Sequence, residues 1–224
     1  MQANETLFLK SLKELNINHY TAGDRQLEYI DNFVRKFDGD ERLSKYQIDI
    51  DQLRADALFN AGRNEEALVI LTALHEASDH TFQSFRAQQR ADVLLALGRY
   101  EEARVLIRNA IAIEEQAFYQ LDLLYWITRT LTDAEDQLKD YETCISEIRR
   151  QLGIPVAIDG ISLSEAVRIL KHERVTASRR FGELQLRGLN SAEEKMQLLQ
   201  AYLSSETVGY FRSMAQDLMD KLQK

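Results

Sequence analysis

Proline occurs once in the 224 residues, at Pro155. Because proline is the residue that most firmly stops a helix, almost nothing interrupts helical runs in this chain. The residues that dominate it, Ala, Leu, Glu, Gln, Arg and Lys, are strong helix formers. The expected fold is all-α, with essentially no strand. Cysteine also occurs once, at Cys144, which excludes an intrachain disulfide and a cysteine metal cluster and suits a reducing compartment. No apolar run approaches the roughly 18 residues needed to span a bilayer. The stretch from Met1 to Leu15 carries Glu5 early and lacks a basic start followed by an apolar run, so it does not read as a signal peptide. A cytoplasmic protein is expected.

Positive charge is in deficit. Lys and Arg number 28 against 36 Asp and Glu, a formal net charge of -8. Such a molecule repels nucleic acid and anionic membrane at neutral pH, so neither is an expected partner and a basic protein or peptide is the natural complement. With 45% hydrophobic and 29% charged residues the composition is that of a globular protein. The length suits one large or two small domains with a substantial core.

The patterns of common chemistry are missing as well. His19, His75, His80 and His172 are scattered without ligand spacing, and no His-Glu-x-x-His, Gly-x-Gly-x-x-Gly, phosphate loop or Gly-x-Ser-x-Gly occurs. The glutamate pairs Glu65-Glu66, Glu101-Glu102, Glu114-Glu115 and Glu193-Glu194 could suggest acid–base work. Adjacent helical side chains diverge by about 100°, however, so such pairs do not converge on one substrate. The expectation is a non-enzymatic protein with no metal and no cofactor. No DNA-reading helix-turn-helix segment is evident.

What is present is repetition. Gly98-Arg99-Tyr100-Glu101-Glu102-Ala103 recurs 36 positions upstream as Gly62-Arg63-Asn64-Glu65-Glu66-Ala67, each time between two amphipathic helical runs. That spacing marks stacked helical hairpins. Each glycine suits a left-handed helix cap. The glutamates suit the positive end of the following helix, and the alanines allow helices to approach closely. Tyr100 is expected to fill a gap between hairpins.

These residues resemble the tetratricopeptide repeat family. Ala91, Leu94, Gly98, Tyr100, Ala103, Ile107 and Ala110 follow its pattern, and Ala55, Leu58, Gly62, Ala67, Leu71 and Leu74 follow it less fully, with Asn64 in place of the tyrosine. In a fainter third copy Tyr141 and Cys144 stand where tyrosine and alanine belong, with Lys139 for the glycine. The good match covers about residues 46–113. The resemblance implies a right-handed superhelix of antiparallel helix hairpins, a TPR-like α-solenoid over 1–152, with a divergent helical module over 153–224 that is a cap or a second binding surface.

In chain order, a degenerate first hairpin pairs Leu7, Phe8, Leu12 and Leu15 with Leu27, Ile30, Phe33, Val34 and Phe37 across Thr21-Ala22-Gly23-Asp24. Residues 41–77 and 80–116 form the next two, the latter entered through Ser78-Asp79. A single helical run over about 117–138 is expected to pair with 141–152. The segment 153–160, with Pro155 and two glycines, breaks the chain. Beyond it helices are expected at Ser162 to about Leu186, after Asn190-Ser191-Ala192-Glu193-Glu194, and after Ser204-Ser205-Glu206. Cys144 is expected to pack as a small helix-contact residue. Arg168, Lys171, Arg174, Arg179, Arg180 and Arg187 read as a solvated basic face or as a docking surface for an acidic partner.

In the family the first helix of each hairpin lines a concave groove. The matching positions here are Asp56, Asp92 and Asp133, then Gln52, Gln88 and Arg129, then Asp49, Phe85 and Trp126. The family's clamp for a peptide C-terminal carboxylate uses lysine, arginine and asparagine there, so that ligand is not expected. The resemblance implies a scaffold or adaptor whose groove takes a basic, partly aromatic segment, with Phe85 and Trp126 as apolar or cation–π contacts. A second reading is a sensory module related to bacterial TPR-containing transcriptional regulators, because Leu152-Gly153-Ile154-Pro155 is similar to the end of the activator domain attached to such regulators. A homodimer is compatible with either.

Overall fold

Helix is the only regular structure in residues 2–17, 23–77, 80–187 and 191–223, the parts of the chain that the computed structural model describes. The expected turn residues Thr21 and Ala22, the cap Ser78-Asp79, Asn190, and the imidazoles of His19 and His80 lie outside what is described. By compactness the chain divides into Met1–Ala112 and Ile113–Lys224. The break in the sequence at 153–160 falls inside the second unit.

In the first unit, α1 (Gln2–Ile17) and α2 (Gly23–Lys36) meet through aromatic rings. Phe8 lies 5.3 Å from Phe33, 4.9 Å from Phe37 and 5.7 Å from Tyr46 between ring centroids, the tilted and edge-on spacings that aromatic pairs prefer. The short α3 (Glu41–Lys45) leads through Tyr46 into α4 (Gln47–Asn60). Gly23 opens α2 directly against the end of α4, where a Cβ would stand 2.4 Å from the Ala57 carbonyl oxygen. Only glycine allows that approach.

The hairpin of α4 with α5 (Asn64–Glu76) and the turn between α6 (His80–Ala96) and α7 (Tyr100–Ile113) are built alike. Gly62 and Gly98 have φ of 75° and 74°. At the first turn the Gly62 N–H donates to Phe59 O and the Arg63 N–H to Leu58 O; at the second, Gly98 donates to Leu95 O and Arg99 to Leu94 O. This is the paired Schellman closure that a left-handed glycine permits. In both copies the arginine grips the second glutamate with both arms: Arg63 to Glu66 at 2.7 and 2.6 Å, Arg99 to Glu102 at 2.7 and 2.7 Å. Ala67 and Ala103 are fully buried, as their small size suggests. Tyr100, by contrast, is 59% exposed and fills no gap between hairpins.

The second unit is arranged around α8 (Ala117–Thr130), which packs against α9 (Ala134–Leu138), α10 (Glu142–Leu152) and α11 (Leu163–Arg187). The single run expected over 117–138 is broken. Thr128 donates its hydroxyl to Tyr125 O and Thr130 to Trp126 O, and Leu131 turns extended at φ -101°, ψ 135°. Threonine hydroxyls that bond back to the preceding turn offer the backbone an alternative to continuing the helix. A short 3-10 helix over Lys139–Tyr141 then joins α9 to α10. Lys139, standing where the third copy needs its turn glycine, is right-handed at φ -55°.

Two carboxylates organise the rest of this unit. Glu135 accepts the backbone N–H groups of Leu163 at 2.7 Å and Ser164 at 3.0 Å, so a side chain remote in sequence caps the start of α11. These bonds hold its carboxyl below the usual range. Buried Glu206 accepts both arms of Arg180, at 3.0 and 2.8 Å, and the Val208 N–H at 2.9 Å. Burial pushes its pKa up, but Arg180, the Val208 N–H and Tyr202 together outweigh burial and bring it down.

Helix α12 (Ala192–Ser205) opens with the expected capping box of Ser191 and Glu194. The last helix does not start at Ser204: the hydroxyls of Ser204 and Ser205 bond back to Ala201 O and finish α12, and α13 runs Gly209–Leu222. Gly153, left-handed at φ 59°, ends α10 in contact with Gly209, whose N–H donates to Gly153 O at 3.0 Å.

Candidate functional site

A helix with buried residues at one spacing presents the intervening ones elsewhere. In α4 the residues Ile50, Leu53, Ala55, Ala57 and Leu58 are buried, and Asp49, Gln52 and Asp56, exposed or half-buried, follow one another at three- and four-residue steps. Among the described side chains of α6 the buried ones are Ser84, Arg86, Ala87, Ala91, Val93 and Leu94, and the corresponding row is Phe85, Gln88 or Gln89, and Asp92.

One hydrogen-bonded node joins the two rows. Asp56 Oδ1 accepts from Gln52 Nε2 on its own helix at 3.1 Å and from Gln89 Nε2 across to α6 at 3.2 Å. Phe85 is 52% exposed at the N-terminal side of the α6 row, and Gln52, Gln88, Asp56 and Asp92 are half-buried. The first unit therefore carries, on neighbouring helices, two aspartates, amides that orient one of them, and an accessible ring. The sequence pattern does not point to Gln89. Only its neighbour Gln88 fell at a family groove position, and nothing local to the sequence separates the two glutamines.

The remaining candidates fall elsewhere. Trp126 has 0% of its surface exposed, in the middle of the α8 core, so the expectation that it offers a ring to a ligand is overturned. An indole flanked by Leu123, Leu124 and Ile127 gains more from burial than from water. Asp133 does not sit on the first helix of a hairpin: it lies in the turn after α8, at the N-cap of α9, where Gln137 donates to it at 3.0 Å. Arg129 is exposed near the end of α8. Unlike Asp56 and Asp92, then, neither Asp133 nor Trp126 presents the surface that the third copy was expected to supply.

The basic residues of α11 are not a uniformly solvated face. Arg174, 4% exposed, reaches Asp122 of α8 at 3.0 and 2.7 Å, donates to the Phe118 carbonyl at 2.9 Å and stacks 3.7 Å over the Phe118 ring. Lys171 pairs with the same carboxylate. Burial lowers the Lys171 pKa, Asp122 opposes that, and Arg174 and Arg129 add to it. Arg180 is engaged with Glu206. These charges tie helices together. Cys144 is half-buried with its Sγ 3.9 Å from Gln120 Oε1, and burial, with Glu147 beside it, raises the thiol pKa, which makes it a poor nucleophile.

Among the described residues no group of three or more His, Cys, Asp and Glu is placed to hold a metal ion, and no helix is long and apolar enough to cross a membrane. The chain matches no family model, no curated protein and no solved structure.

Proposed function

We propose that this chain is a non-enzymatic scaffold or adaptor of tetratricopeptide type, and that the α4–α6 face of its first unit binds a basic, partly aromatic segment of a protein partner. The observation that carries the reading is the Asp56 node: a carboxylate oriented by two amides, one of them from Gln89 on α6, the helix that also carries Asp92 and the exposed Phe85 about one turn to either side. Fixed carboxylates beside an accessible aromatic face suit a Lys or Arg side chain, which gains from charge and from the ring together. The near-identical closure of the Gly62 and Gly98 turns, with Ala67 and Ala103 buried behind them, supports stacked hairpins of the same type and hence the family reading. Two groove positions that the family pattern would add, Asp133 and Trp126, do not contribute, so the proposed surface is confined to the first unit.

An immobilised array of short peptides tests this directly. Segments with two or more Lys or Arg and a Tyr or Trp should be selected over acidic ones. The Asp56→Lys, Asp92→Lys double variant should bind the selected peptides at least about tenfold more weakly, and wild-type binding should fall with added salt. Selection of acidic peptides, or full binding by a folded double variant, overturns the reading.

A further inference from the structure

The second unit holds a feature that the proposed peptide face does not use. Where the ends of α11, α12 and α13 meet, Leu184, Leu198, Leu199, Leu218 and Leu222 line an open trough of about 340 Å³, and its other two lining residues are Lys195 and Lys221. Helices α12 and α13 are packed against one another and joined by three residues, so they run antiparallel, and the start of one lies beside the end of the other. That topology brings Lys195, in the first turns of α12, to the same end of the trough as Lys221, in the last turn of α13. Neither ammonium is in an ion pair or side-chain hydrogen bond among the described residues. The acids nearest in sequence are Glu193, Glu194, Asp217 and Asp220. Glu194 caps its own helix and Asp220 accepts from Gln216, and none of the four lines the trough.

We propose that this trough binds a carboxylate with an alkyl tail, the chain lying on the five leucines and the carboxylate between Lys195 and Lys221. Three physical points select this occupant. Among the described residues all the uncharged lining is aliphatic, so these side chains offer no hydrogen bond to orient a polar body. Among the described residues the polar groups that line it are two cations, which suit an anionic head. The volume is at the lower end of the range of small-ligand pockets, about 300–1,000 Å³. The seven described residues that line it are also far fewer than the roughly 20–30 per side of a standard protein interface. A fully basic or neutral ligand would leave the lysines uncompensated or like-charged.

The test is calorimetric titration of the intact chain with hexanoate, octanoate and decanoate, and with 1-decanol as the neutral counterpart. Affinity should rise about fourfold per added methylene, as transfer of each CH₂ from water requires, and decanoate should bind at least about tenfold more tightly than decanol. In the Lys195→Met, Lys221→Met variant, which keeps the apolar stems, decanoate should fall to the decanol level while decanol is unchanged. Absence of decanoate binding, affinity independent of chain length, or indifference to the double substitution would overturn the proposal. So would an acidic amphipathic peptide that displaces 1-anilinonaphthalene-8-sulfonate from the trough when decanoate does not, because that outcome assigns the surface to a protein. Peptide selection at the α4–α6 face does not depend on either lysine, so the two readings can fail separately.

Discussion

His75 sits near the end of α5 with its Nδ1 buried and no hydrogen-bond partner there, and burial, Arg90 and Arg86 together hold its pKa below 6.5, with Glu76 opposing. Arg86 is itself buried and donates to Leu74 O, so the cationic neighbour cannot swing away without loss of a helix-terminal bond. A base whose folded pKa is depressed is protonated more readily when unfolded. Its contribution to stability is therefore present above pH 6.5 and is lost as pH falls below that value. Urea midpoints measured at pH 7.5 and 5.5 should show this fall, and His75→Gln should reduce it; equal pH dependence in the two proteins would remove His75 from the account. Packing is tested at the same scale by Ala103→Leu. With no exposed surface at Ala103, added methylenes must displace neighbours, and the cost should be about 1–3 kcal/mol in chemical denaturation. Glycines divide by a similar argument. A Cβ on Gly62 meets nothing within 4 Å, so Gly62→Ala costs only the left-handed backbone, about 1–2 kcal/mol. A Cβ on Gly153 meets Gly209 Cα at 2.9 Å, so Gly153→Ala should cost more than Gly62→Ala. The reverse order would mean that α10 and α13 can separate without penalty.

At the scale of elements, α11 depends on a residue that is far away in sequence. Glu135 supplies the acceptor for two of its first N–H groups, the part that a local N-cap such as Ser162 would otherwise have to play alone. Replacement by Ala should cost about 0.5–2 kcal/mol at pH 7, in the range of other lost caps. Because the carboxyl is held below its ordinary pKa by these bonds, that stability is present above the ordinary value and disappears as pH falls through the lowered one. Wild type and Glu135→Ala should therefore converge in acid. A constant difference between them at all pH values would mean that the side chain acts by packing. The sequence could not have named this cap, since Glu135 and Ser164 are brought together only after α8, α9 and α11 pack. Nor could it place the end of α8. Periodic apolar residues run on through the half-buried Leu131 to the fully buried Leu138, but the helix ends between them, where the threonines bond back to the preceding turn.

For the molecule as a whole, the single proline and the abundance of helix formers lead to a falsifiable spectrum: far-ultraviolet circular dichroism should report helix, and a strand content above about 15% would contradict the fold, since ordinary globular domains carry about 20–25%. Charge behaves less simply than the net value of -8 implies. Asp122 and Glu206 are paired within the second unit with Lys171, Arg174 and Arg180, and Asp56 in the first accepts from two glutamine amides. Net charge is therefore a poor guide to how individual carboxylates are engaged.

The sequence by itself determined the helical class, the turns at Gly62 and Gly98, the buried alanines behind them and the Ser191 capping box. Each of these depends on residues within one turn or one period of each other, where propensity, positive φ and side-chain caps act without help from the rest of the chain. The tertiary structure alone decided which periodic residues became inaccessible. The sequence pattern would align Trp126 with Phe85, yet one is enclosed by α8's neighbours and the other is open. The tertiary structure likewise decided that Gln89 rather than Gln88 meets Asp56, that Arg174 faces inward to Asp122, and that Lys195 and Lys221 line the same leucine trough. Such pairings are fixed by how whole helices rotate and stack to remove apolar area from water, a quantity to which every helix contributes and which no single stretch of sequence contains.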